Sequence, residues 1–208
     1  MRQLPSLDHA LKLFLPGACV LILLFPIAAE AHLVTTGLGP IYDGISHVLL
    51  SMDDLLPILA MALLAGLNGP VAGRRTLFAL SCSWLIAGLL GYSTGVSALP
   101  GTIVCASFLV LGGLTAADRR LTPNLVMVLA VVLGLLHGWL NGVAIFQAQR
   151  EILGLAGIVT TIFVLVAILS AGVISLRKDW MRIVVRVAGS WVFASGLLMA
   201  GWMIKGQG

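Results

Sequence analysis

The sequence predicts an all-α membrane protein, a polytopic bundle of six transmembrane helices behind an N-terminal signal peptide. Three observations carry this reading. Of 208 residues, 60% are hydrophobic and only 10% are charged, more apolar surface than a soluble domain of this length can use. The uncharged runs are long enough to cross a hydrocarbon core of about 30 Å several times. The remaining positive charges gather in alternate short loops, as membrane insertion favours. A net charge of +4 therefore implies a lipid bilayer and no nucleic acid. Cys19, Cys82 and Cys105 lie singly within apolar segments and read as small buried hydrophobes, without the spacing of a disulfide or thiolate metal site.

Residues 1–31 read as a signal peptide. Arg2 and Lys12 precede an apolar core from Leu13 to Ala28, and Ala29-Glu30-Ala31 forms a small-x-small cleavage site. The mature domain, residues 32–208, would then begin at His32, outside the cytoplasm. Without cleavage, the same segment is an anchor and a seventh span. Six spans follow, at roughly 41–66, 76–95, 98–117, 124–146, 152–175 and 183–204. With His32 outside, the loops carrying Arg74 and Arg75, Arg119 and Arg120, and Arg177, Lys178 and Arg182 are all cytoplasmic, while the opposite side has only Arg150 and Lys205. Charge asymmetry and leader thus give one orientation, a multi-pass protein of the inner (cytoplasmic) membrane. Tyr42, Tyr92, Phe146 and Trp202 mark the outer ends of spans, and Phe78 and Trp180 the inner ends. Trp84, Trp139 and Trp191 fall deeper and read as packing residues.

The first span carries Asp43, His47, Asp53 and Asp54. An ionised side chain at the bilayer centre costs roughly 3 kcal/mol on insertion scales, so such groups mark function. On one continuous helix Asp43, His47, Ser51 and Asp54, spaced four, four and three apart, share a face. Asp53 points about 100° away. A row of carboxylate, imidazole, hydroxyl and carboxylate can hold a cation or pass a proton. Pro57, a turn further on, removes a backbone hydrogen bond and frees a carbonyl there. The fourth span holds the second polar group. Gly134, Gly138 and Gly142 form a smooth stripe for close helix contact, and His137 and Asn141 run beside it. Running in opposite directions, the first and fourth spans place His47, His137 and Asn141 at similar depth, an arrangement suited to an inverted three-plus-three repeat. Spans two, three and five read as scaffold. Arg186 snorkels to the interface, and Gly189, Gly196 and Gly201 suggest close packing of the last span.

These motifs resemble the HupE/UreJ family of hydrogenase and urease accessory membrane proteins. The run His47-Val-Leu-Leu-Ser-Met-Asp53-Asp54 keeps the first two members of a His-x5-Asp-His motif, with Asp54 in place of the final His. Leu136-His137-Gly138-Trp139-Leu140-Asn141-Gly142-Val143-Ala144 keeps the first His and both glycines of a second motif, with Asn141 for its second His and Ala144 for its Glu. A histidine just after the leader, and Arg186-x-x-Gly189 followed by Gly196, are also similar to family members. The resemblance implies a nickel or cobalt permease rather than an enzyme, with no tightly bound cofactor and a transported divalent metal ion as substrate. It implies His47, Asp53, Asp54, His137 and Asn141 as ligands, with Asp43 on the shared face and His32 at the outer mouth. Asp and Asn in place of two imidazoles shift the ligand set towards harder ions.

Two functions are consistent with the chain. One is a transition-metal permease supplying metalloenzyme maturation. The other is a non-transporting accessory protein, whose partners would be metalloenzyme maturation proteins and whose polar groups would serve packing. A third reading, an intramembrane aspartyl hydrolase, is weak, because adjacent Asp53 and Asp54 diverge by about 100° on one helix and cannot share a proton across a substrate as a catalytic dyad needs. The number of copies is left open by the sequence.

Overall fold

In a computed structural model of the chain, residues 35–96 and 102–205 are described. The expected signal peptide, its cleavage site and His32 lie outside them. Every regular element among the described residues is helical: α1 Pro40–Leu50, α2 Met52–Leu67, α3 Pro70–Thr94, α4 Thr102–Ala116, α5 Pro123–Gln147, α6 Leu153–Ile174 and α7 Asp179–Lys205. Local chemistry sets several ends. Pro40, Pro70 and Pro123 each occupy a first helical position, where the missing N–H would have had no partner. Thr122 caps α5 by accepting a hydrogen bond from the Leu125 N–H at 3.3 Å. Gly95, with φ +63°, ends α3 in the left-handed conformation that suits glycine.

Helices α3, α5, α6 and α7 are each long and apolar enough to cross a membrane. Helices α1 and α2 pass the same test only as a pair, bent by 74° across Ser51, and α4 is an apolar helix of 15 residues. Where one continuous first span was expected, the chain makes a corner. Ser51 has extended dihedrals, φ −80° and ψ 99°, ending α1 and beginning α2. Pro57 does not make the bend; it sits buried inside α2.

Three helix pairs hold the bundle together, each through glycines. Helix α5 lies along α3 in the same direction: an added Cβ at Gly134 would strike Ser83, at Gly138 the Trp84 carbonyl, and at Gly142 the Gly88 carbonyl. Helices α1 and α2 follow α6 the same way, Gly44 against Gly154 at one end and Gly66 against Val173 at the other. Helix α4 runs antiparallel to α7, with Gly112 against Phe193 and Gly196 against Phe108. Exchanging α1/α2, α3 and α4 with α5, α6 and α7 in that order maps the α3·α5 pair onto α1/α2·α6 and α4·α7 onto itself, but the α2·α4 contact has no comparable partner between α5 and α7.

Loop contacts define two ends of the bundle. At one, Arg182 forms a bidentate pair with Asp118 at 2.7 and 3.0 Å, Arg75 donates to Asn124, and the Leu121 N–H donates to Asn68 at 2.7 Å. At the other, Asp43 meets Arg150 at 3.4 Å.

Candidate functional site

Two polar clusters come from the first span. The deeper one is built around Asp54, in the first turn of α2 and 5% exposed. Its Oδ1 lies 2.8 Å from His137 Nδ1, and its Oδ2 accepts from Asn141 Nδ2 at 2.9 Å and lies 3.5 Å from His47 Nε2. His137 and Asn141 are one turn apart on α5, and the Asn141 amide also donates to the His137 carbonyl at 3.1 Å. His47, in the last turn of α1, reaches the cluster because the chain turns at Ser51. The Ser51 hydroxyl, 3.4 Å from His47 Nδ1, stays beside the imidazole instead of capping α2. Three elements therefore bring two imidazoles and an amide to one buried carboxylate.

The far side of His137 is closed by residues assigned to scaffold on sequence grounds. Ser107 of α4 places its hydroxyl 3.1 Å from His137 Nε2 and 2.7 Å from the Val104 carbonyl. Its one hydrogen can serve only one of these. Trp84 of α3 lies over the His137 ring, centroids 5.6 Å apart. Ser107 and Trp84 thus join the site as a correction to that assignment. No local signal distinguishes them from the chain's other serines and tryptophans. Asn141 Oδ1 and the Trp84 indole N–H are both buried with no hydrogen-bond partner.

Asp43 does not share this face. The corner at Ser51 turns α1 away, and Asp43 accepts from the Thr36 N–H at 2.6 Å, from the Thr36 hydroxyl at 2.7 Å and from Arg150 at 3.4 Å. The single row from Asp43 to Asp54 is therefore corrected to two separate clusters. Asp43 and Arg150 line a cavity of about 350 Å³ with Thr35, Glu151 and Gly154. Asp53 is exposed and makes no hydrogen bond or ion pair with the described residues. The Cys105 S–H donates to the Gly196 carbonyl at 3.3 Å, a packing role, whereas Cys82 is exposed and free rather than buried.

Long apolar helices enclosing an interior carboxylate, two imidazoles and an amide define a multi-pass helical membrane protein with a polar site between its helices. The family model described as HupE / UreJ protein matches residues 20–199, and the chain belongs to that family, one associated with metal-ion handling for hydrogenase and urease. No curated protein and no solved structure matches the chain.

Proposed function

We propose that this chain is a permease for a divalent transition-metal ion, nickel or cobalt, crossing the cytoplasmic membrane six times with its mature N-terminus outside and supplying metalloenzyme maturation. The observation that carries this reading is the Asp54 cluster: a buried carboxylate between two imidazoles, beside a carboxamide oxygen with no partner. Imidazole nitrogen is the ligand type that suits these metals. Asp43, and His32 where cleavage exposes it, serve as capture groups at the outer mouth. His47 and His137 replace part of the ion's hydration, Asp54 and Asn141 supply oxygen, and exposed Asp53 is the next carboxylate on the way in. A mixed set of this kind binds weakly enough to let the ion leave. The chain has no nucleotide-binding loop, so the membrane potential or a proton gradient drives transport.

The test is metal accumulation in cells expressing the wild type beside His47→Ala and His137→Ala, scanning Ni, Co, Cu, Zn and Mn. One metal should accumulate with wild type and fall to the empty-vector level with either variant. Uptake unchanged in both folded variants would remove the proposal. The accessory reading is favoured by a different observation: both Asp54 oxygens are already engaged, one by His137 and one by the Asn141 Nδ2, and no three His, Cys, Asp or Glu among the described residues are grouped to hold a metal ion. On that reading no metal accumulates, and His47→Ala lowers stability or partner association instead.

A further inference from the structure

The Asp54 cluster and the cavity beside Asp43 share two helices. On α1, Asp43 lines the cavity, and His47, one turn further along, reaches Asp54. On α5 one line of residues runs the other way. His137 and Asn141 hold Asp54, Ile145 follows one turn later, and Gln149 and Arg150 form the cavity rim just past the helix end. Four residues of helix rise about 6 Å, so on both helices a single turn separates the cavity from the cluster. Ile145 is an apolar rung between two polar ends. A second isoleucine closes the same level: Ile158, one turn along α6 from Gly154, also lines the cavity. Ile145 is 2% exposed and Ile158 0%.

The seam these two side chains fill is unlike the glycine contacts beside it. Helix α1 is pressed on α6 at Gly44, where an added Cβ would strike the Gly154 carbonyl, and α5 is pressed on α3 at Gly142, where it would strike the Gly88 carbonyl. Nothing passes between backbones that close. Helices α1 and α5, by contrast, hardly touch each other. From the Arg150 end inwards, the cavity comes first, then the isoleucine pair, then the buried Asp54 group. Rotatable side chains close this seam, whereas backbone closes the other two.

We propose that Ile145 and Ile158 are the gate between the cavity and the Asp54 cluster, an apolar layer about one helical turn thick. This rests on the permease reading, in which the cavity is the outer vestibule and the cluster is the site the ion must reach. An apolar constriction stops a hydrated ion because water does not wet it. Closed, the pair keeps the Asp54 hydrogen bonds dry. Rotation of the two side chains away from the seam would join vestibule to cluster without breaking the glycine contacts on either side.

The test is the reaction of full-length Asn141→Cys, in intact cells, with a membrane-impermeant cationic methanethiosulfonate added outside. Gln149→Cys at the rim is the open reference, and the unaltered chain, with its own three cysteines, sets the background. Asn141→Cys should react slowly, and about tenfold or more faster when combined with Ile145→Ala or Ile158→Ala, which remove the apolar obstruction. Ile145→Leu, which keeps the volume, should leave the slow rate in place. Val143→Ala shortens an equally buried side chain of α5 on another face and should also leave it slow. Asn141→Cys as reactive as Gln149→Cys without any isoleucine change overturns the gate, as does a rate that stays at background with both isoleucines shortened. Equal acceleration by Val143→Ala overturns it too, since general loosening would then explain the result. The reaction needs neither metal nor accumulation, so failure of the permease reading and failure of the gate give separate results.

Discussion

Asp54 shows how one residue acquires a role by losing its nearest neighbours. Asp43, His47 and Asp54 share a face on paper, but of the two carboxylates only Asp54 meets His47. Removing it would leave the Asn141 amide and the two imidazoles facing a buried gap. Breaking such a group by deleting one partner costs about 3 kcal/mol or more. Asp54→Ala should therefore lower stability by that order in mixed-micelle unfolding, whereas Asp54→Asn, which keeps an acceptor oxygen, should cost less. Equal losses for the two variants would show that the carboxylate's hydrogen bonds are not what holds the cluster. His137 and Asn141 were legible because a histidine and an amide in an apolar run are conspicuous. Ser107 was not, because helical serines usually satisfy themselves on their own backbone, as Ser190 and Ser195 do.

At the scale of the helices, close packing separates two kinds of glycine. Gly138 and Gly142 press α5 against the backbone of α3, and a side chain there would meet the Trp84 or Gly88 carbonyl, which cannot move aside. Gly138→Val should cost about 1–3 kcal/mol from overpacking and weaken the site, because it moves the helix that carries His137. Gly172 has open space around it, so Gly172→Ala should be neutral or stabilising by up to about 1 kcal/mol. Thermal unfolding of the two variants side by side measures the contrast. The glycine stripe of α5 was legible in the sequence. The corner at Ser51 was not, since neither Ser51 nor its flanking residues Leu50 and Met52 is a helix breaker. The one proline in the segment sits within α2, six residues past the corner.

For the whole molecule, orientation follows from where the cations lie. A phosphatase reporter fused after Lys205 should be active outside the cytoplasm, and one fused after Arg120 inactive; the reverse pattern would invert the proposed path of the ion. At the end opposite the arginine-rich loops, Asp43, Thr36 and Arg150 tie the segment before α1 to the turn after α5. Arg150→Ala should loosen that segment, read as faster protease cleavage near Thr35 with the helical core unchanged.

By itself the sequence determined the helical class, the apolar segments, the family and the residues worth suspecting, because hydropathy, charge placement and motif spacing are properties of short stretches of chain. Only the tertiary structure decided which suspects meet. Contact between Asp54 and His137, 83 residues apart, depends on a corner at Ser51 and on glycine-lined helices approaching to backbone contact. The same packing buries one side of α7 and leaves Trp191 exposed on the other, a difference that one-dimensional spacing cannot carry.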